Sequence, residues 1–212
     1  MVSIKKQLEI ILSKLKKIEK PKVELEQYET PSNLISYIVN ELLLMNLIEN
    51  KEIIEPACGN AKFSLAISFF NPNFILAFDI DKDVIKIAKE NYENLKKEFN
   101  LSKIYFVVAD VRHLKLKRKF DLCIMNPPFG IQGKIKDLEF LDFATKISNF
   151  ICSINPNGRN KEFFTKFLAE RKFSILKIRE EKFPIERMFW FHKKEKKYVD
   201  VVIIFAKHEN IE

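Results

Sequence analysis

Apolar positions recur at helical spacing along the N-terminal stretch, where Ile4, Leu8, Ile11, Leu12, Leu15 and Ile18 form one stripe among basic residues. The stripe predicts a helix over Val2–Lys20, stopped by Pro21. It reads either as a cap packed on the domain or as a basic arm that also touches nucleic acid. A short extended piece, Val23–Tyr28, leads to a second helix that starts at Thr30-Pro31-Ser32, where hydroxyls flank a proline, and ends at Met45 or Leu47. From there strand and helix alternate. Short apolar runs predict strands at Ile53–Glu55, Phe74–Asp79, Ile104–Asp110, Asp121–Asn126, Phe150–Ser153, Phe173–Arg179 and Tyr198–Ala206. Amphipathic segments predict helices at Lys62–Phe70, Asp83–Phe99, Asp137–Ser148 and Asn160–Arg171. Such alternation requires crossover connections, and these make an α/β fold: a mostly parallel sheet with helices on both faces.

Composition narrows the class. Of 212 residues, 47% are hydrophobic and 31% charged, which excludes wholesale disorder. The apolar runs Ile75–Phe78 and Val199–Ala206 are far too short to span a membrane, and Asp200 interrupts the second. No secretory signal pattern is expected at the start. Cys58, Cys123 and Cys152 are widely spaced and odd in number, so neither a disulfide framework nor a metal site is proposed. A reducing, cytoplasmic location follows. No linker or repeat divides the chain, which reads as one domain over residues 1–212, with 1–47 a helical extension and 48–212 the core. Lys and Arg number 37 against 29 Asp and Glu, a formal charge of +8 and a pI near 9.2. That surface suits a polyanion such as RNA, because neutralising phosphates releases counterions. The other reading is a lysine-rich surface that serves solvation alone.

The chemistry sits at strand ends. In order these are Glu55-Pro56-Ala57-Cys58-Gly59-Asn60-Ala61, Asp79-Ile80-Asp81, Asp110-Val111 and Asn126-Pro127-Pro128-Phe129. The first is a turn of small residues that backbone can use to approach a ligand closely. Asp79 follows at the distance suited to a ribose diol, and Asp110 is placed to accept from an adenine amine. Acids after strands also cap helices, as Asp81 or Asp83 is expected to do here. In the fourth turn the prolines fix φ, so the Asn126 amide and the Pro127 carbonyl form a rigid pair of acceptors for an exocyclic amine. Phe129 offers an apolar face for a stacked base.

These motifs resemble the class I S-adenosylmethionine-dependent methyltransferases, in the amino-modifying branch that carries N-P-P-F. Leu25-Glu26-Gln27-Tyr28-Glu29-Thr30-Pro31, Phe78-Asp79-Ile80-Asp81, Ile124 to Gly130 and Phe191-His192-Lys193-Lys194 are similar, in the same order, to the methyltransferase-like protein 5 family of archaeal and eukaryotic rRNA adenine-N6 methyltransferases. The resemblance implies a Rossmann-like, seven-stranded sheet and S-adenosyl-L-methionine as cofactor. It implies that Gln27, Tyr28 and Thr30 close over the cofactor and that Glu55, Ala57, Gly59 and Asn60 receive its methionine end. Asp79 then takes the ribose, Ile80, Asp110 and Val111 the adenine, and Asn126, Pro127, Pro128 and Phe129 the target base. One departure stands out. The family reads D-L-G-C-G-x-G where this chain has two alanines, Ala57 and Ala61. Alanine resists positive φ, so both positions are expected to lie outside the left-handed region. The E-P-A-C-G turn also resembles the first motif of DNA adenine methyltransferases.

The leading expectation is N6 methylation of an adenosine in structured RNA, in particular small-subunit rRNA. The alternatives are DNA adenine or protein glutamine methylation, or an inactive RNA-binding or assembly protein on the same fold. Two further surfaces are expected. Trp190, Phe191, His192, Lys193, Lys194, Lys196 and Lys197 form an aromatic and basic loop suited to unpaired nucleotides, unless the aromatics are core and the lysines a hairpin tip. The third strand, Ile104-Tyr105-Phe106-Val107-Val108, lies at a sheet edge in the resembling fold, without proline or charge to protect it. The family's small zinc-binding activator subunit is a candidate to pair with it. The chain's own N-terminal helix or a second copy is the alternative cover.

Overall fold

The computed structural model describes residues 3–130, 137–157, 161–186 and 196–211, with side chains undescribed at 184–186 and 196–197. Two helices, α1 (Ile4–Ser13) and α2 (Ser32–Leu44), precede the alternating region. Then follow β1 (Glu52–Pro56), α3 (Lys62–Ser68), β2 (Phe74–Asp79), α4 (Lys82–Lys96), β3 (Ile104–Val108) and β4 (Phe120–Met125). The chain continues through α5 (Asp137–Ile147), β5 (Ser148–Pro156), α6 (Lys161–Ala169), β6 (Phe173–Glu186) and β7 (Lys196–His208). The seven strands form one sheet in the order β3-β2-β1-β4-β5-β7-β6. All neighbours are parallel except β7, which runs antiparallel to both β5 and β6. The expected Rossmann-like methyltransferase architecture is therefore present.

Strand alternation builds both cores. Ile53, Ile75, Ala77, Leu122, Ile124, Cys152, Ile203 and Phe205 face α2, α3 and α4. Their neighbours Ile54, Phe78, Cys123, Met125, Ile151, Val202 and Ile204 face α5 and α6. A strand buried on both sides reads as a continuous apolar run, which is why these strands were legible.

Three local expectations change. The first helix is Ile4–Ser13, not Val2–Lys20. Beyond it the backbone at Lys16 finds partners elsewhere: its N–H donates to Asn91 Oδ1 at 2.8 Å, and its carbonyl accepts from Asn91 and Asn60 amides. Val23–Leu25 is a 3-10 turn rather than extended, closed by Glu26 in the left-handed region at φ 48°. The hydroxyls flanking Pro31 do not cap α2; Asp81, as expected, caps α4 by accepting from the Asp83 N–H at 3.0 Å.

β6 and β7 run far longer than predicted, so Lys196 and Lys197 lie on β7 and not in a loop. Pro156, at the carboxyl end of β5, is level with Val201 and Glu181, yet β6 and β7 stay paired as far as Glu186 and Lys196. At an ordinary strand rise this hairpin projects roughly 16 Å past the carboxyl ends of the parallel strands. Trp190, Phe191, His192, Lys193 and Lys194 lie outside the described residues.

β3 is at the sheet edge, pairing only with β2 among the described residues. The N-terminal helix does not cover it, since α1 packs on α2 and α3. Tyr105, Val107 and Val108 are exposed.

Candidate active site

The carboxyl ends of β1, β2 and β4 open into a cavity of about 450 Å³, within the size range of small-molecule sites. Strand order reverses between β1 and β4, the position where open α/β sheets hold ligands. The walls come from the turn after β1, from Asp79-Ile80, from Ala109–Arg112 and from Asn126 and Pro128; Ile18 and Glu24–Thr30 form a cover.

The turn after β1 overturns one expectation. Ala57 (φ 51°) and Ala61 (φ 62°) both occupy the left-handed region, as does Gly59 (φ 54°). Left-handed backbone costs alanine roughly 1–2 kcal/mol, and the turn's fixed hydrogen bonds offset that. Cys58 N–H donates to the Phe78 carbonyl at 3.0 Å, Ala61 N–H to the Cys58 carbonyl at 2.7 Å, and Gly59 N–H to Asp79 Oδ2 at 3.0 Å. The three positive angles are what turn these N–H groups toward β2 and back onto the loop. The two alanines therefore hold backbone angles that glycine adopts without strain.

Glu55 lies beneath the turn, buried. It accepts from the Ser64 N–H at 2.8 Å and from the Ser64 hydroxyl, joining β1 to α3. Burial pushes its pKa up to about 8 against the pull of those bonds and with a small push from Asp79. Burial likewise raises Asp79, although the N–H groups of Asp81 and Gly59 hold its carboxylate. Asp110 differs. Arg112 grips it through Nε at 3.0 Å and Nη2 at 2.5 Å, and this bonding keeps the carboxyl below its ordinary range.

In the N-P-P-F turn the Asn126 Nδ2 donates to Thr30 Oγ1 at 3.0 Å. Asn126 Oδ1 is buried and has no hydrogen-bond partner among the described residues. A buried acceptor left unpaired costs about 1–3 kcal/mol, so this atom points to a donor brought by a ligand. Phe129 corrects another expectation. It is buried, absent from the cavity wall, and set edge-on to Phe183 at 6.0 Å, so it is not a free stacking face. Pro127 is also outside the wall.

The cover is held residue by residue. Glu26 Oε2 accepts from the Phe129 N–H at 2.6 Å. Gln27 Nε2 donates to Asp81 Oδ2 at 2.8 Å, and Lys22 reaches the same oxygen at 2.8 Å. Burial alone would raise Asp81, but these donors bring it below its ordinary value. Glu29 accepts from Ile18 N–H, Asn60 Nδ2 and Lys62 Nζ, at 2.9, 3.1 and 2.8 Å. Gln27, Tyr28, Thr30, Glu55, Ala57, Gly59, Asn60, Asp79, Ile80, Asp110, Val111, Asn126 and Pro128 thus share one cavity. Glu26, Glu29 and Lys62 also line it and were not singled out from sequence. The first two sit inside the L-E-Q-Y-E-T segment, which was the available signal. Among the described residues no group of His, Cys, Asp and Glu is arranged to hold a metal ion.

Comparison with known proteins agrees with this geometry. Residues 38–148 match the profile of the methyltransferase small domain family. The chain is 33% identical to an uncharacterized protein of Methanocaldococcus jannaschii, over 98% of this chain and 94% of that one. It is 29% identical to the rRNA N(6)-adenosine-methyltransferase METTL5 of Danio rerio, covering 95% of this chain and 97% of the relative. The crystal structure of a proposed RNA methyltransferase from Pyrococcus horikoshii superposes with a TM-score of 0.86 at 31% identity, covering 98% and 99% of the two chains.

Proposed function

The chain belongs to the methyltransferase small domain family, and we propose that it methylates N6 of an adenosine in structured RNA, specifically small-subunit rRNA, using S-adenosyl-L-methionine. The carrying observation is the unpaired, buried Asn126 Oδ1 in the cavity wall. The adenine amine is a poor nucleophile because its lone pair is delocalised into the ring. Asn126 Oδ1 accepts one of its hydrogens, which favours a pyramidal nitrogen with the lone pair directed at the methyl group; Pro127, outside the cavity wall, does not take the second. S-adenosylmethionine supplies that methyl as a sulfonium-bound electrophile. The protein's task is then positioning rather than strong base catalysis, and the base must leave its stack to arrive.

The remaining cavity residues divide naturally. Asp79 accepts from the ribose diol with lone pairs its two N–H donors leave available. Ile80 and Val111 flank the cofactor's adenine. Asp110 reaches the adenine amine once Arg112 yields its two-point grip. Gly59, Ala57, Asn60 and Glu55 surround the methionine end, and Gln27, Tyr28 and Thr30 cover it. Pro128 takes the stacking face that Phe129 does not present. The relatives that METTL5 names are rRNA N6-adenosine methyltransferases, and the charge of +8 suits an RNA substrate. We read residues 1–212 as one cytoplasmic catalytic unit; no helix among the described residues is long and apolar enough to cross a membrane. Mass spectrometry of rRNA nucleosides with and without the gene tests the assignment: loss of N6-methyladenosine supports it. An unchanged nucleoside profile with loss of methylglutamine from a protein would replace it with the glutamine reading.

The exposed edge of β3 supports the small zinc-binding activator as partner, through strand addition. Phe106 packs edge-on against Tyr92 at 5.9 Å, so Val108, 53% exposed, is the better test position. Val108→Lys is expected to abolish co-purification with that subunit and leave the fold intact.

A further inference from the structure

Glu26, Gln27, Glu29 and Thr30 of the cover bond to the cavity's surround, and two of these bonds, from Glu26 and Thr30, fall on the N-P-P-F turn itself. Glu26 is buried, adopts a left-handed conformation (φ 48°, ψ 46°), and places its carboxylate 2.6 Å from the Phe129 N–H, 103 positions along the chain. Its own carbonyl accepts from the Tyr28 N–H at 2.7 Å, which closes the backbone around it. Non-glycine residues hold such angles only where the surrounding structure over-determines them. The bond to Phe129 is short at 2.6 Å, and it fixes the far end of a turn whose near end carries Asn126.

Two anchors therefore bracket the turn from the same N-terminal segment. Thr30 holds the Asn126 amide nitrogen at one end and Glu26 holds the Phe129 backbone at the other. The prolines between them restrict φ but do not set how the whole turn faces the cavity. Phe183 of the projecting hairpin meets Phe129 through a ring contact, which does not itself bond the Phe129 peptide. With neither anchor, Asn126 Oδ1 would not stay aimed at one point.

We propose that Glu26 is a positioning residue for methyl transfer: its carboxylate locks the Asn126–Phe129 turn, so that seating the cover over the cofactor cavity and readying the amine acceptor are one event. This rests on the function proposed above and deepens it. Glu26 touches neither reacting atom in this scheme and acts through Asn126.

The test compares the full-length wild type with Glu26→Ala and Glu26→Gln. Gln retains an oxygen that accepts from the Phe129 N–H, while Ala retains none. Amide hydrogen exchange of the peptide containing Phe129 is expected to quicken at least tenfold in the Ala variant and to stay near wild type in the Gln variant. This readout holds whatever the substrate proves to be. On RNA, kcat is expected to fall about tenfold or more in the Ala variant, with KM for RNA within threefold, and to recover in the Gln variant. Unchanged exchange at Phe129 in Glu26→Ala overturns the proposal, as does equal loss of kcat in both variants or a loss confined to KM. A wild type that transfers no methyl to RNA, with the exchange pattern as expected, would instead overturn the substrate assignment and leave the lock standing.

Discussion

Two turns wall the same cavity and differ in how their backbones are held. The backbone of the turn after β1, from Ala57 to Ala61, bonds through its N–H groups to Phe78, Asp79 and Cys58, and the N-terminal segment hydrogen-bonds only to its Asn60 side chain among the described residues, through Glu29 and the Lys16 carbonyl. That scaffold is strong enough to keep two alanines at positive φ. The N-P-P-F turn after β4 is fixed from outside, by Thr30 and Glu26, which arrive from the N-terminal cover.

The sharpest way to break this contrast is Asn126→Ala. Removing the unpaired acceptor is expected to lower methyl transfer at least 100-fold, about 2.7 kcal/mol of barrier, while S-adenosylmethionine affinity measured by calorimetry stays within a few-fold. Activity above about a tenth of wild type would show that Asn126 does not orient the target nitrogen.

A pH experiment probes the other turn from below. Glu55 has a folded pKa of about 8, well above its unfolded value, because it is buried. The folded state therefore binds the extra proton, and the associated stability is present below the unfolded pKa and lost as pH rises through about 8. The melting temperature of the wild type is expected to fall relative to Glu55→Gln between about pH 5 and pH 8.5. Parallel curves across that window would mean that Glu55 does not titrate in it.

The smallest effect is the most specific. Ala57→Gly relieves roughly 1–2 kcal/mol of left-handed strain but adds about 0.5–1 kcal/mol of unfolded-chain entropy. The net gain is expected to be near 0.5 kcal/mol, a rise of about 1–2 °C in melting temperature. Ala61→Gly should gain less, because its buried methyl is worth about 0.8 kcal/mol on removal from water. Destabilisation by Ala57→Gly in a thermal melt would show that the turn is not strained.

The sequence alone determined the alternation of strand and helix and the order of the strand-end motifs, whereas the edge position of β3 was implied by the family resemblance. The first two follow from period-two and helical hydrophobic patterns and from short motifs, all of which are local properties of the chain. It also carried the cluster of residues around the cavity, because strand ends converge wherever a parallel sheet reverses order. Tertiary structure decided the rest. Ala57 and Ala61 read as barred from positive φ, since intrinsic preference says nothing of bonds to Phe78 and Asp79. Phe129 read as a stacking face, but the long β6–β7 hairpin brings Phe183 against it and buries it. Asp110 read as a free acceptor, and Arg112, two positions on, closes over it. Glu26 stood in the L-E-Q-Y-E-T segment, but its own bond could not be read there, because it reaches a residue 103 positions away. Such contacts are set by how elements pack, and no spacing along the chain encodes them.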